Sequence, residues 1–188
     1  MKRRSLLCAS LCCGALAAAA QSEDAALALR QGGAVLALRH ALAPGTFDPE
    51  NFKLGDCSTQ RNLNDEGRAQ ARRLASWMAA RQLRPARVRS SPWCRCVDTA
   101  RMAFADTELW PALGSPRGQS EAARLAQGAE LRHALRAASA KRGEFEVWVT
   151  HMFVLAELVQ VPVASSEGLV LRADANGNPQ LWARLGPF

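Results

Sequence analysis

From Ala34 to Leu38 the chain runs through five apolar residues without polar alternation, then turns polar at Arg39 and His40. Such a run is a strand buried on both faces, because a strand with one wet face alternates. Segments of strand character then alternate with segments of helical character, the pattern of an α/β sheet covered by crossover helices. Arg87 to Ser90 and Val147 to Thr150 read as further strands, and Glu108 to Leu113 as a strand or extended edge. Asn64 is placed to cap a helix whose first turn holds Asp65 and Glu66, where the helix dipole favours acids. Gly67, Ala71, Leu74 and Met78 then recur on one face. A second helix spans about Ser120 to Ala138, with Leu125, Gly128, Leu131, Leu135 and Ala138 on one side, and a third covers Met152 to Val159. Asn176, Gly177 and Asn178 make the turn of a closing hairpin between Leu169 to Arg172 and Gln180 to Arg184.

Three of these junctions carry chemistry. Arg39 and His40 follow the first strand, the string SSPWCRCVDTA (Ser90 to Ala100) follows the second, and His151 follows Val147 to Thr150. Open α/β sheets bind ligands at the carboxyl ends of adjacent strands, so these side chains converge on one place. Ser91 and Pro92 read as a helix start, with a hydroxyl cap and proline in the first turn. Its free amides and the Arg95 fork suit an anion, most simply a phosphate.

The first twenty residues stand apart. Lys2, Arg3 and Arg4 precede an apolar stretch from Leu6 to about Ala17 and small residues ending at Ala20, the pattern of a secretory signal peptide, too short for a membrane span. A lipid anchor on Cys8, Cys12 or Cys13 is disfavoured by Leu7, Leu11 and Cys12, where a small residue is wanted. Cleavage leaves 168 residues, 21–188, as one domain in a periplasmic or secreted protein, with no later segment able to span a membrane. Losing the three leader cations lowers the formal charge from +7 to +4. With no tyrosine and scattered tryptophans, no basic run with interleaved aromatics remains for nucleic acid. Cys57, Cys94 and Cys96 remain, an odd count that allows one bridge, from Cys57 to Cys94 or to Cys96.

Taken together, the Arg-His pair closing the first strand, the capped helix with Gly67 and Gln70, the SSPWCRCVDTA string and the later His151 resemble the histidine phosphatase superfamily. The resemblance implies a phosphoglycerate mutase-like fold: a three-layer α/β sandwich with a mostly parallel sheet flanked by helices. It implies that His40 is the nucleophile, that Arg39, Arg95 and His151 hold the phosphate oxygens, and that neither metal nor cofactor is required. The stretch from Arg39 to Ala71 is also similar to an exported bacterial subgroup that includes phosphatases acting on lipopolysaccharide core sugars. The expected partner is therefore a small phosphorylated substrate such as a lipopolysaccharide sugar phosphate. A phosphomutase, and a phosphate-ligand binding protein without turnover, are the alternatives.

The sequence departs from the family at Ala41, where a glycine usually follows the nucleophile, and at Met152 to Val154, which are apolar. It also departs at Pro111 to Ser115, where the proton donor to the leaving group is expected and no carboxylate stands. Glu121 is the first candidate for that acid, with Glu108, Asp48, Glu50 and Asp56 as the others. Arg61 is placed either to reach substrate or to sit at the surface of a helix start. Arg89 and Glu167 are read as structural, His133 as solvent-exposed, and Trp93 as a wall of the site.

Overall fold

In the computed structural model, the backbone is described for residues 8–188 and side chains from residue 20 onward. The leader expected over 1–20 falls outside the described residues, apart from the backbone at its helical end. The elements are α1 (Cys8–Gln31), β1 (Ala34–Arg39), α2 (Asp65–Ala80), β2 (Arg87–Ser90), α3 (Cys94–Phe104), β3 (Glu108–Leu109), α4 (Glu121–Ser139), β4 (Phe145–Thr150), α5 (Met152–Val159), β5 (Gly168–Ala173) and β6 (Pro179–Leu185). Short 3-10 turns interrupt the loops at Cys57–Thr59 and Pro111–Leu113.

One six-stranded sheet in the order β3-β2-β4-β1-β5-β6 organises the domain. The first four strands in that order are parallel, β5 runs antiparallel to β1, and β6 pairs antiparallel with β5 in the closing hairpin. Leu36 and Leu38 face one layer with α1, α2 and α3, while Val35 and Ala37 face the other with α4 and α5. That split makes the three-layer sandwich, and it explains the unbroken apolar run of β1. Each core leucine contributes roughly 1.5–3 kcal/mol through burial.

The face read for α2 is the buried one: Gly67, Ala71, Leu74 and Met78 point inward, and Asn64 caps the helix by accepting from the Gly67 amide at 2.8 Å. Gly67 has a specific reason to lack a side chain, since a Cβ there would lie 2.1 Å from the Leu42 carbonyl oxygen.

Four expectations change. Helix α1, unread in the sequence beyond the leader, continues to Gln31 and buries Ala25, Ala26 and Leu29, with Ser22 accepting from the Trp77 indole at 2.7 Å. The extended edge shrinks to Glu108–Leu109, because Pro111 opens a 3-10 turn. In α4, Leu125 is 63% exposed; only from Leu131 onward does the helix lie on the sheet. Helix α3 starts at Cys94 with Trp93 as its cap, rather than at Ser91, whose hydroxyl is drawn toward His151.

Candidate active site

Parallel register brings the three junctions together. Arg39 on β1 lies opposite Thr150 on β4, and Ser90 on β2 lies opposite Val149, so the chain leaves all three strands at one edge of the sheet. Two further bonds carry the ladder past the strand ends, His40 N–H to the Thr150 carbonyl (3.0 Å) and Ser91 N–H to the Val149 carbonyl (2.9 Å). The structure thus brings Arg39, His40, Arg95 and His151 to the wall of one cavity of about 450 Å³.

His40 is 4% exposed, and its protonation pattern follows from its neighbours. The ring Nδ1 lies 2.7 Å from the Ala41 carbonyl, an acceptor only, so Nδ1 carries the proton. Arg95 Nε–H donates to His40 Nε2 at 3.2 Å, which leaves Nε2 as the bare nitrogen. Burial first, then the charge of Arg95, push the His40 pKa down to about 3, so the ring is neutral across the physiological range. A neutral imidazole with a fixed tautomer, its unprotonated Nε2 held only by the Arg95 hydrogen bond, can act as a nucleophile once a substrate phosphate takes over that guanidinium.

Arg95, itself 4% exposed, is the hub. Its Nε reaches His40, its Nη2 approaches His151 Nδ1 at 3.4 Å, and its Nη1 donates to both carboxylate oxygens of Asp48 at 2.8 and 3.1 Å. With Nδ1 accepting, His151 donates Nε2–H to Ser91 Oγ at 2.8 Å, and burial, followed by the neighbouring His40 and Arg95, holds its pKa well below the usual value. Arg39 anchors one arm on the Val163 carbonyl (2.8 Å) while its buried Nε has no partner. Burial also lowers the Arg39 pKa. Two guanidiniums and an imidazole around one bare nitrogen can stabilise charge on transferring phosphoryl oxygens.

Side-chain hydrogen bonds fix the backbone around this core. Thr99 Oγ1 accepts from the Ala41 amide (3.0 Å) and donates to the Arg95 carbonyl (2.7 Å), and Gln70 accepts from the Leu42 amide (2.8 Å). Of the two open cysteine pairings the structure has Cys57–Cys94, which ties the long loop to the first residue of α3. Cys96 stays free and buried, its sulfur 3.6 Å from His151 Nε2, and burial raises its pKa to about 12, so it is a packed thiol. Arg61 folds back to donate to the carbonyls of Ala43, Pro44 and Thr46, stapling the loop while still bordering the cavity.

The acid candidates separate by position. Glu121 does not reach the cavity: it sits in the first turn of α4 beside a different groove, because the chain passes the site at Ser115, Arg117 and Gly118 before that helix begins. Glu108 is tied to Arg87 on the edge strand, and Asp56 caps the 3-10 turn through the Ser58 amide. Asp48 and Glu50 do border the cavity. Arg89 is buried against Glu146 and Trp110, Glu167 accepts from the Ala164 amide at 2.7 Å and pairs with Arg184, and His133 is exposed.

Trp93 walls the cavity and stacks on Phe52 with ring centroids 5.5 Å apart. Phe47 with Arg117 above its ring at 3.7 Å, and Phe153, complete an apolar rim that sequence reading did not find. Phe47 and Phe52 lie in the irregular loop after β1, where no periodicity marks which side chains face inward, and Phe153 lies in the first turn of the short α5.

The mostly parallel, helix-flanked sheet is the phosphoglycerate mutase-like fold of the solved structures it resembles. Residues 35–117, which include Arg39, His40, the SSP segment and Arg95, match the family model of the histidine phosphatase superfamily (branch 1). Among solved structures, the protein histidine phosphatase SixA complexed with tungstate is similar over 82% of this chain and 97% of its own, with 22% identity and a TM-score of 0.57. The alpha-ribazole phosphatase of Shigella flexneri is similar over 82% and 96%, with 14% identity and a TM-score of 0.60. At these identities the likeness is one of fold. No curated protein matches the sequence.

Proposed function

We propose that this chain is a phosphatase that hydrolyses a phosphomonoester through a phosphohistidine on His40. The observation that carries this reading is the bare Nε2 of a buried, neutral His40, with Arg95 bonded to it and Arg39 and His151 bordering the same cavity. Nε2 attacks phosphorus, the two arginines and His151 take up charge on the equatorial oxygens, and water then cleaves the N–P bond. The match to the histidine phosphatase family model and the phosphatases of similar fold support the reading. The leader pattern of residues 1–20 supports export, and within the periplasm or outside the cell a phosphorylated lipopolysaccharide sugar is the natural substrate to test first.

The test is phosphate release from an aryl phosphate in the presence of a chelator, by the mature protein and by His40→Ala. The intact protein should release phosphate and take up label from ³²P substrate at His40, and the variant should do neither. Release that survives the substitution would rule out the phosphohistidine route. Binding of phosphate without release by either form would favour a binding protein.

A further inference from the structure

Among the described residues bordering the cavity, the carboxylates are Asp48 and Glu50, and only Asp48 engages the phosphate clamp. We propose that Asp48, delivered by the long loop after β1, is the proton donor to the leaving group and the base that activates water in the second step. This rests on the phosphohistidine reading of His40, and it replaces a carboxylate that the segment after β3 does not supply.

Geometry points to Asp48 in three ways. In-line transfer to Nε2 puts the leaving oxygen on the far side of phosphorus from His40, toward the cavity mouth. Asp48 stands across Arg95 from His40: one end of the guanidinium holds the nucleophile and Nη1 holds the carboxylate. The loop is also fixed there, because Asp48 Oδ1 accepts from the Arg61 amide at 3.0 Å while Arg61 staples the loop and the Cys57–Cys94 bond anchors it.

The resting carboxylate occupies donors that a phosphate needs. Burial pushes its pKa up, but the Arg61 amide and the Arg95 guanidinium outweigh burial and hold it below the usual carboxylate value. The groups around it are Arg95, Arg61, Arg39, Arg117, His40, His151 and Glu50. When a phosphoester dianion takes over Arg95 Nη1, Asp48 loses those bonds and gains a neighbouring negative charge, and both changes favour proton uptake from solvent.

The steps then balance. The Nε2 lone pair forms the N–P bond, the P–O bond to the leaving alcohol breaks, and the Asp48 proton moves to that oxygen. In the second step Asp48 takes a proton from water as the water oxygen attacks phosphorus. The N–P bond breaks with its electron pair returning to Nε2, inorganic phosphate departs, and the proton remains on Asp48 until the resting pair with Arg95 re-forms.

The test is a leaving-group series, from dinitrophenyl phosphate to alkyl phosphates, with the disulfide-intact protein, Asp48→Asn and Glu50→Gln. Asp48→Asn should lose about 10²- to 10⁴-fold on the poorest leaving groups and less than tenfold on the best. With dinitrophenyl phosphate it should give a stoichiometric burst of phenolate and accumulate label on His40, which also shows that the variant is folded. Glu50→Gln should keep the leaving-group dependence of the unmodified protein. Equal losses across the series for Asp48→Asn, or a uniform gain in kcat/KM, would overturn the assignment, the gain marking Asp48 as a mere competitor for Arg95. A steepened dependence in Glu50→Gln would overturn it too. Absence of label on His40 in the unmodified protein is a separate outcome, and sinks the phosphohistidine reading itself.

Discussion

The cavity has a floor and a lid built on different physics. His40, Arg95 and His151 are each at most 4% exposed and sit where three parallel strands end, so the hydrogen-bonded sheet sets their spacing. The lid, residues 43–61, is largely exposed and has no sheet to lean on. Its shape depends on the Arg61 staple, the Asp48–Arg95 pair and one disulfide. A floor that cannot move suits a step whose barrier depends on preorganised charge, while a tethered lid can adapt to the group being released.

Arg95 joins the two regions, and its removal should have the largest effect. Arg95→Ala takes donors from the transferring oxygens and leaves the Asp48 carboxylate without its partner, so kcat on an aryl phosphate should fall by at least about 10²- to 10³-fold. Arg95→Lys should recover only part of that, because an ammonium lacks the fork that reaches His40 and Asp48 together. Full activity in the lysine variant would mean that point charge, rather than fork geometry, is what the floor supplies.

Breaking the tether tests the lid alone. In the chain-entropy account, a bridge closing residues 57–94 stabilises the fold by about 4 kcal/mol, with engineered and natural cases typically at 2–4 kcal/mol. Cys57→Ser should lower the unfolding free energy by about that amount in urea melts and raise KM, while kcat for dinitrophenyl phosphate changes much less than in Arg95→Ala. If Cys57→Ser instead abolished turnover in protein that remains folded, floor and lid would be one unit and the distinction would fall.

The same division decided what was legible in the sequence. Periodicity exposed β1, α2 and the closing hairpin, because each repeats a contact pattern against the sheet. Strand-end side chains were legible for a related reason: an apolar run that stops abruptly marks where the sheet ends. The start of α3 was misjudged by the local strength of Ser91 and Pro92 as a helix opening, since the Ser91 hydroxyl bonds His151, sixty residues away in sequence. Helix α1 was hidden because alanines fill its buried face and give little hydrophobic contrast beside a leader of similar composition. Glu121 was favoured by its place in the chain order, yet the segment before it crosses the site and turns away. The choice between Cys94 and Cys96 needed α3 itself, which exposes one sulfur to the loop and turns the other into the core.

A last effect is one of pH on stability, and it separates floor from lid by its range. His40 and His151 are neutral in the folded protein because burial and Arg95 depress both, His40 to about 3. In the unfolded chain each returns to about 6.5. Below that value the unfolded state binds protons that the folded state refuses, so stability rises with pH in this window and is fully present only above it. As pH falls from about 6.5 toward 3, His40 removes up to about 1.4 kcal/mol per unit, and His151 adds a loss of the same sign. Asp48 also has a lowered folded pKa, so its contribution is present above the ordinary aspartate value and is lost only at still lower pH. Urea melts from pH 8 to pH 4 should therefore show a decline beginning near 6.5. In His151→Asn the decline should be shallower, and in Asp48→Asn it should be unchanged between pH 6.5 and 5. A stability that stays flat down to pH 5 would mean that the floor histidines accept protons in the folded state, and that His40 is not held as a bare nucleophile.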